Sequence, residues 1–166
     1  MNISLDIQIQ AKDLYRFQMR QAYRGMQGWI SILISLLMFV MAGVTVGKSE
    51  LMYTLLYCGA GVLFLVYVPV SLWFHAKTTM KTNQVLSGML HYEIGDAGIH
   101  VVQGEEEADL PWNLVYKCIG TKKQVLIFSN RVSAFILPRP LIEEQYEDIK
   151  GLAVEHLEKY RVKFCD

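Results

Sequence analysis

The pattern of hydrophobic and polar residues changes several times along the chain, and each change predicts a different element. Residues 3–9 alternate between apolar and polar, which is typical of a half-buried strand. Residues 12–24 carry a basic residue at every fourth position, which would form one stripe on a helix. Two long runs without charge follow, and short apolar runs separated by turn residues begin near residue 88.

The two uncharged runs, residues 29–46 and 51–74, are long enough to cross a bilayer. As helices they would span about 27 Å and about 36 Å. Only residues 47–50 separate them, so the sequence predicts a transmembrane hairpin. A cleaved signal peptide is the alternative, and it is disfavoured because a second span follows at once.

Positive charge predicts the orientation of this hairpin. Basic residues flank both spans on the side of the termini, whereas the connecting turn offers only Lys48. The positive-inside rule therefore places both termini in the cytoplasm. The predicted membrane-surface contacts are Lys12, Arg16, Arg20, Arg24, Lys77 and Lys81, and the predicted interface aromatics are Trp29, Tyr67 and Trp73.

The basic stripe over residues 12–24 has two interpretations that do not exclude each other. It docks as an interfacial helix on anionic lipid headgroups, or it is a topology signal on an ordinary linker helix. The strand at 3–9 precedes it and cannot bury its apolar face alone. Since both ends lie on one side of the membrane, we expect this strand to join the sheet that follows the spans.

The segment after the spans predicts a small antiparallel β-domain closed by a helix. Glu105 to Glu107 read as an exposed acidic turn, and Pro111 suits an edge strand because it donates no ladder bond. Strands are expected at 90–94, 99–103, 108–112, 114–119, 124–129 and 132–137, and a helix from 141 to about 160. With the N-terminal strand this makes seven strands and a helix, the order of a pleckstrin-homology-like barrel.

The predicted fold class is therefore a membrane protein of the α+β type. It combines a two-helix transmembrane hairpin with a cytoplasmic pleckstrin-homology-like domain. The expected segments are 1–28 (strand and basic juxtamembrane helix), 29–46 and 51–74 (spans), and 83–166 (the β-domain, completed by strand 3–9).

Several residues of this domain carry a resemblance to a known family. Tyr92, Gly98-Ile99, Trp112 and the strand end Leu137-Pro138-Arg139, with the helix after it, resemble the YcxB-like family of bacterial membrane proteins. The resemblance implies a bacterial inner-membrane protein with a pleckstrin-homology-like cytoplasmic domain. It implies no reaction and supplies no catalytic residue.

Charge and composition exclude some classes of function. The whole chain is neutral, but residues 83–166 hold nine Lys/Arg against thirteen Asp/Glu, which disfavours nucleic-acid binding and makes anionic lipid a poor ligand for that domain. Lys122-Lys123 is expected to be a solvated turn. The spans carry no charge, so an ion path is not indicated.

No pattern in the sequence indicates catalysis, a metal or a cofactor. The cysteines, Cys58, Cys118 and Cys165, lie far apart and are expected to be free thiols. The histidines lie at no metal-ligand spacing, and His91 with Glu93 is expected to be part of a solvated strand face rather than a catalytic pair. We therefore expect a protein that is not an enzyme.

The partners expected from the sequence are the lipid bilayer and a protein of unknown identity, with no nucleic acid. The first hypothesis is a membrane-tethered module for protein interaction or regulation, which binds through a sheet edge or a helix face. The alternatives are a bacterial immunity protein against a toxin or bacteriocin, and an accessory subunit of a transporter. A homo-oligomer also stays open, because glycines in the spans let helices approach closely.

Overall fold

We describe a computed structural model of the chain, over residues 2–48, 50–83, 88–104 and 106–164. The expectations for Ser49, Glu105 and Cys165 lie outside the described residues. The backbone divides into two compact units. One combines Met1–Leu14 with Thr79–Asp166, and the other is Tyr15–Thr78.

Three helices account for the second unit: α1 (Ala11–Arg24), α2 (Met26–Thr45) and α3 (Leu51–Thr82). The first four residues of α1 and the last four of α3 belong to the other unit. Gly25 separates α1 from α2 in an extended conformation. Helix α3 continues past the end of the uncharged run at Phe74 and includes Pro69.

Helices α2 and α3 pack through small and hydroxyl-bearing residues. The Ser35 hydroxyl donates to the carbonyl of Gly61 at 2.7 Å, and the Thr45 and Thr54 hydroxyls lie 3.1 Å apart. A Cβ at Gly61 would lie 3.1 Å from the ring of Phe39, so glycine makes room for that ring. Small residues and hydroxyl–carbonyl bonds are typical of contacts between membrane helices.

The first unit contains two four-stranded sheets. Sheet 1 has the order β1-β2-β3-β4 and is antiparallel throughout. Its strands are β1 (Ile3–Gln8), β2 (Met89–Gly95), β3 (Gly98–Gln103) and β4 (Glu106–Pro111). The N-terminal strand thus lies in the sheet to which the sequence assigned it, with Ile3 opposite Ile94 and Ile7 opposite Leu90.

Sheet 2 has the order β7-β6-β5-β8, in which β8 is parallel to β5. Its strands are β5 (Lys117–Gly120), β6 (Gln124–Phe128), β7 (Ala134–Pro138) and β8 (Val162–Phe164). Helix α4 (Tyr146–His156) lies between β7 and β8 in sequence, and single turns of 3-10 helix cover Trp112–Leu114 and Arg139–Leu141.

The core of this unit is built from the alternate residues of the strands. Tyr92 of sheet 1 is 1 % exposed and packs edge-on against Phe135 of sheet 2, with ring centroids 6.0 Å apart. All five residues of β6 are buried, unlike the alternating strands of sheet 1. The indole nitrogen of Trp112 donates to the carbonyl of Gly95 at 2.7 Å. This bond joins the 3-10 turn after β4 to the end of β2.

Four local predictions were wrong. Glu106 and Glu107 belong to strand β4 rather than to a turn, and Leu114 ends a 3-10 turn rather than beginning a strand. The last helix is shorter than 141–160, because Arg139–Leu141 forms its own turn and Leu157 is extended. The described residues also contain an eighth strand, β8, whose three residues are too few for a periodicity.

Candidate functional site

The solvent-facing side of sheet 1 carries histidines and carboxylates in register. Because side chains alternate along each strand, the positions between the core residues point outward. The register places Asp6 opposite His91, Glu93 opposite His100, and His100 opposite Asp109. We call these five residues, together with Glu107 of β4, the acidic face.

His91 lies at the centre of a small polar network on this face. Its Nδ1 is 2.7 Å from an oxygen of Asp6, and its Nε2 is 3.2 Å from the hydroxyl of Ser4 and 3.5 Å from an oxygen of Glu93. The bond to Asp6 raises the pKa of His91 above its ordinary value, against partial desolvation, and Glu93 acts in the same direction. The nearest carboxylate is thus Asp6, not the Glu93 of its own strand.

His100 makes the second pair of the acidic face. Its Nδ1 lies 2.5 Å from an oxygen of Asp109, and this hydrogen bond raises the pKa of His100. Both histidines therefore stay protonated, and positively charged, up to a higher pH than a free histidine does. A cavity of about 300 Å³ opens beside this pair and is also lined by Glu93, Gly98 and Pro111.

Strand β4 forms one edge of sheet 1, with β3 as its neighbour in the sheet. Its first four residues are all exposed, and three of them are acidic: Glu106, Glu107 and Asp109. An edge strand presents backbone N–H and C=O groups that can pair with another chain. The edge therefore combines a template for strand addition with negative charge.

The acidic face has no arrangement suited to a bound metal. In the parts of the chain that the structure describes, no three His, Cys, Asp or Glu side chains come together as ligands. Both histidine pairs lie on an open sheet face, with Asp6 64 % and Asp109 80 % exposed. Both pairs are therefore accessible to a binding partner from solvent.

The cysteines that the structure describes are free thiols. Cys58 lies in α3, and Cys118 is fully buried in β5. Burial raises the pKa of the Cys118 thiol to about 12, because the thiolate would be desolvated. Cys118 is thus a structural residue of the core.

The residues predicted to contact the membrane surface lie on α1 and on the C-terminal part of α3. Lys12 and Arg24 are exposed, whereas Arg16 and Arg20 are half-buried. Lys77 and Lys81 are exposed on the last turns of α3. Of the predicted interface aromatics, Trp29 and Tyr67 are 60 % and 62 % exposed, and Trp73 is 37 % exposed.

The structure brings α1 against the end of α3 through contacts that sequence reasoning missed. The ring of Tyr15 meets that of Trp73 edge-on at 5.3 Å, and the ammonium of Lys77 lies 5.3 Å from the Trp73 ring. The amide nitrogen of Gln18 is 3.2 Å from Nδ1 of His75. Trp73, predicted as an interface aromatic, and Lys77, predicted to contact the membrane surface, thus form one cluster with Tyr15.

The histidine pairs of the acidic face were also missed at the level of contacts. Alternation in residues 3–9 and 90–94 was enough to place Asp6 and His91 on solvent faces. It could not provide the register that sets them opposite each other, because a shift of two residues keeps the same faces.

Comparison with protein families supports the resemblance seen in the sequence. A family model described as YcxB-like protein matches residues 94–153, from the end of β2 to within α4. This confirms the suspected family over about a third of the chain, the part that holds β3 to β7. No curated protein and no solved structure matches the chain significantly.

Proposed function

We propose that this protein is a membrane-anchored interaction module without enzymatic activity. Helices α2 and α3 hold it in the bacterial inner membrane, with both termini in the cytoplasm. The β-domain is pleckstrin-homology-like, and the edge strand β4 binds an extended basic segment of a partner protein.

Exposure of apolar side chains supports the membrane anchor. Two helices, Gly28–Thr45 and Leu51–Thr82, are long and apolar enough to cross a bilayer. Only 17 % of the first and 11 % of the second are buried, whereas the core helix of a soluble protein is mostly buried. Lipid is the solvent that accepts such a surface.

The element order supports a pleckstrin-homology-like domain. Four antiparallel strands are followed by three more and then by helix α4, which is the order expected of that fold. Strand β8 is an addition to it. The basic residues beside both helices support cytoplasmic termini, since the connecting turn carries only Lys48.

The observation that carries the proposed interaction is the exposed acidic edge β4. Strand addition provides affinity through main-chain hydrogen bonds and specificity through alternate side chains. Glu107 and Asp109 alternate on the solvent face, and each would meet a basic side chain of the added strand. The cavity beside His100 and Asp109 would receive one of them.

A site-specific crosslink tests this proposal in living cells. A photo-reactive amino acid at Ala108, which is exposed in the middle of β4, captures what lies beside the edge. We expect adducts with a basic, extended segment of one protein, located by mass spectrometry of the crosslinked peptides. The double substitution Glu106→Lys/Glu107→Lys should abolish them.

The matched control is Glu143→Lys/Glu144→Lys, which makes the same change of charge at two exposed residues before α4. This control should keep the adducts. Adducts that survive in both variants, or that join Ala108 only to lipid or to a second copy of this chain, would contradict the proposed partner.

A further inference from the structure

A second surface of the β-domain has the opposite chemistry to the acidic face. Near the start of β5 and before β8, apolar or aromatic side chains alternate with cations. Leu114, Tyr116 and Tyr160 are 61 %, 43 % and 78 % exposed. We call these three residues, with Lys117 and Arg161, the aromatic–basic patch.

Direct contacts join Tyr160 and Arg161 to the segment that carries Tyr116 and Lys117. The Nε of Arg161 donates to the Tyr160 hydroxyl at 3.3 Å, and its Nη1 donates to the carbonyl of Val115 at 3.4 Å. The ammonium of Lys117 lies 5.1 Å from the ring of Tyr116. Arg161 therefore links the segment around Tyr116 to Tyr160 and makes one surface of two distant parts of the chain.

Lys117 adds an apolar stem to the patch as well as a charge. Its ammonium lies 4.3 Å from the ring of Phe128, which is 2 % exposed. A lysine that covers a buried ring in this way keeps its charge at the surface. Single exposed apolar residues need no explanation, whereas several exposed apolar and aromatic side chains close together mark a candidate binding surface.

The local charge is positive although the domain is acidic. Lys159 and Lys163 are exposed beside Tyr160 and Arg161 in sequence. The carboxylate of Glu158 lies 3.9 Å from Nε of Arg161 and offsets part of this charge. Asp166 follows in sequence and lies outside the described residues. The excess of acid sits on β4 and around α4 instead.

We propose that the aromatic–basic patch binds the anionic headgroup surface of the membrane. Tyrosine rings prefer the membrane interface, where one end is apolar and the other is wet, and Lys and Arg are attracted to anionic lipid. Leu114 would enter the acyl boundary beside the two tyrosines. The inference rests on the membrane anchor proposed above and not on the partner of β4.

The proposal differs from the expectation drawn from net charge. A domain total of −4 would make anionic lipid a poor ligand only if the charge were spread evenly. The fold places Glu93, Glu107 and Asp109 on the acidic face, and it brings Lys117 and Arg161 together on the patch. Electrostatic attraction to lipid falls off within a Debye length, about 10 Å. The charge of the surface nearest the bilayer, rather than the total charge of the domain, therefore determines whether anionic lipid attracts it.

Hydrogen–deuterium exchange of the full chain in nanodiscs tests the proposal. One set of discs holds phosphatidylcholine alone, and the other also holds phosphatidylglycerol. We expect residues 114–118 and 158–164 to exchange more slowly in the anionic discs only. High salt should remove the difference, since the attraction is screened. Carbonate extraction of the same protein tests the anchor separately.

Two variants separate the roles of charge and of apolar contact. Lys117→Gln/Arg161→Gln removes two cations and should weaken lipid association about 30-fold, which abolishes the slower exchange. Leu114→Ser/Tyr160→Ser changes only well-exposed side chains and should also reduce lipid association of the patch, without affecting the fold. The matched control, Lys122→Gln/Lys123→Gln, removes two cations at another exposed turn. This variant should still show the slower exchange of the patch in the anionic discs.

Three results would overturn the proposal. Equal exchange of the patch in both kinds of disc would show that anionic lipid is not the ligand. Equal loss in the Lys122/Lys123 control would show a general charge effect. Slower exchange on addition of short DNA or an acidic protein, with none in phosphatidylglycerol, would assign the patch to a soluble polyanion instead.

Discussion

The helical hairpin and the β-domain use the same apolar residue types in opposite ways. In α2, Leu33, Leu36 and Leu37 are each about 60 % exposed, whereas in the β-domain Leu126 and Leu137 are not exposed at all. The domain buries its leucines against one another, and the hairpin turns them outward. The difference supports the proposal that the helical hairpin lies in lipid, whereas the β-domain has the buried core of a domain that folds in water.

The largest expected effect is that of a cavity in the β-domain. Leu126→Ala removes a fully buried side chain from the middle of β6 and should reduce the free energy of unfolding by about 2–5 kcal/mol. Leu37→Ala, at an exposed position of α2, should leave the domain unchanged. Exchange of the amides of β5–β7 in the full chain measures both. Equal effects would mean that the two leucines share one environment.

A lysine at exposed positions of the two units should sharpen the comparison. Leu37→Lys places a charge near the centre of α2 and should cost about 2.5–3.5 kcal/mol of membrane insertion. Val154→Lys, at a position 55 % exposed on α4, should change stability by no more than about 0.5 kcal/mol. The fraction of each variant that resists carbonate extraction is the measurement. If both are retained in the membrane alike, α2 does not face lipid.

Packing within the hairpin should be sensitive at Gly61 and insensitive at Gly59. A Cβ at Gly61 meets the ring of Phe39, whereas a Cβ at Gly59 has no atom within 4 Å. Gly61→Leu should therefore cost about 1–3 kcal/mol through overpacking, and Gly59→Leu is its matched control. The thermal midpoint of the full chain in detergent reports the difference. A larger loss at Gly59 would show that α2 and α3 pack by another face.

The smallest effect concerns the pH dependence of the acidic face. Asp6 raises the pKa of His91 in the folded domain above the value of about 6.5 that His91 has in the unfolded chain. Below about pH 6.5 the charged pair therefore contributes its full stabilisation to the folded domain. This contribution is lost as the pH rises through the raised pKa of the folded state. Asp6→Asn should therefore destabilise the domain at pH 6 and have less effect at pH 9. The effect is small because both groups are exposed.

Denaturation at both pH values, with an NMR titration of His91, measures this dependence. Glu144→Gln provides the control, since it removes an exposed carboxylate elsewhere. If the pKa of His91 is the same in the Asp6→Asn variant as in the unsubstituted protein, the hydrogen bond to Asp6 does not act in solution.

Much of the fold follows from local periodicity in the sequence. The uncharged runs predicted both long helices, and alternation predicted β1, β2 and β3 within a residue or two. The less regular segments were predicted less well. Glu106 and Glu107 were assigned to a turn because acidic residues rarely form strands, yet pairing with β3 holds them in β4. Tertiary pairing overrode local propensity there.

The candidate sites were harder to predict than the elements. The sequence showed that Asp6, His91 and Glu93 face solvent, but not that Asp6 is the partner of His91. It also gave no sign that Tyr116 and Tyr160 lie near each other, since Tyr160 was assigned to the predicted helix that ends near residue 160. Strand β8, which brings Arg161 and Tyr160 beside β5, has too few residues to reveal itself by pattern.

The amino-acid sequence by itself determined which segments are apolar, which alternate and where charge is absent, because these properties depend on neighbouring residues. Only the tertiary structure decided the pairing of β1 with β2, the register of the acidic face and the gathering of cations around Tyr116 and Tyr160. These depend on contacts between residues far apart in sequence, where many pairings satisfy the same local pattern. Packing of the whole domain selects one of them, and the surfaces proposed for binding follow from that selection.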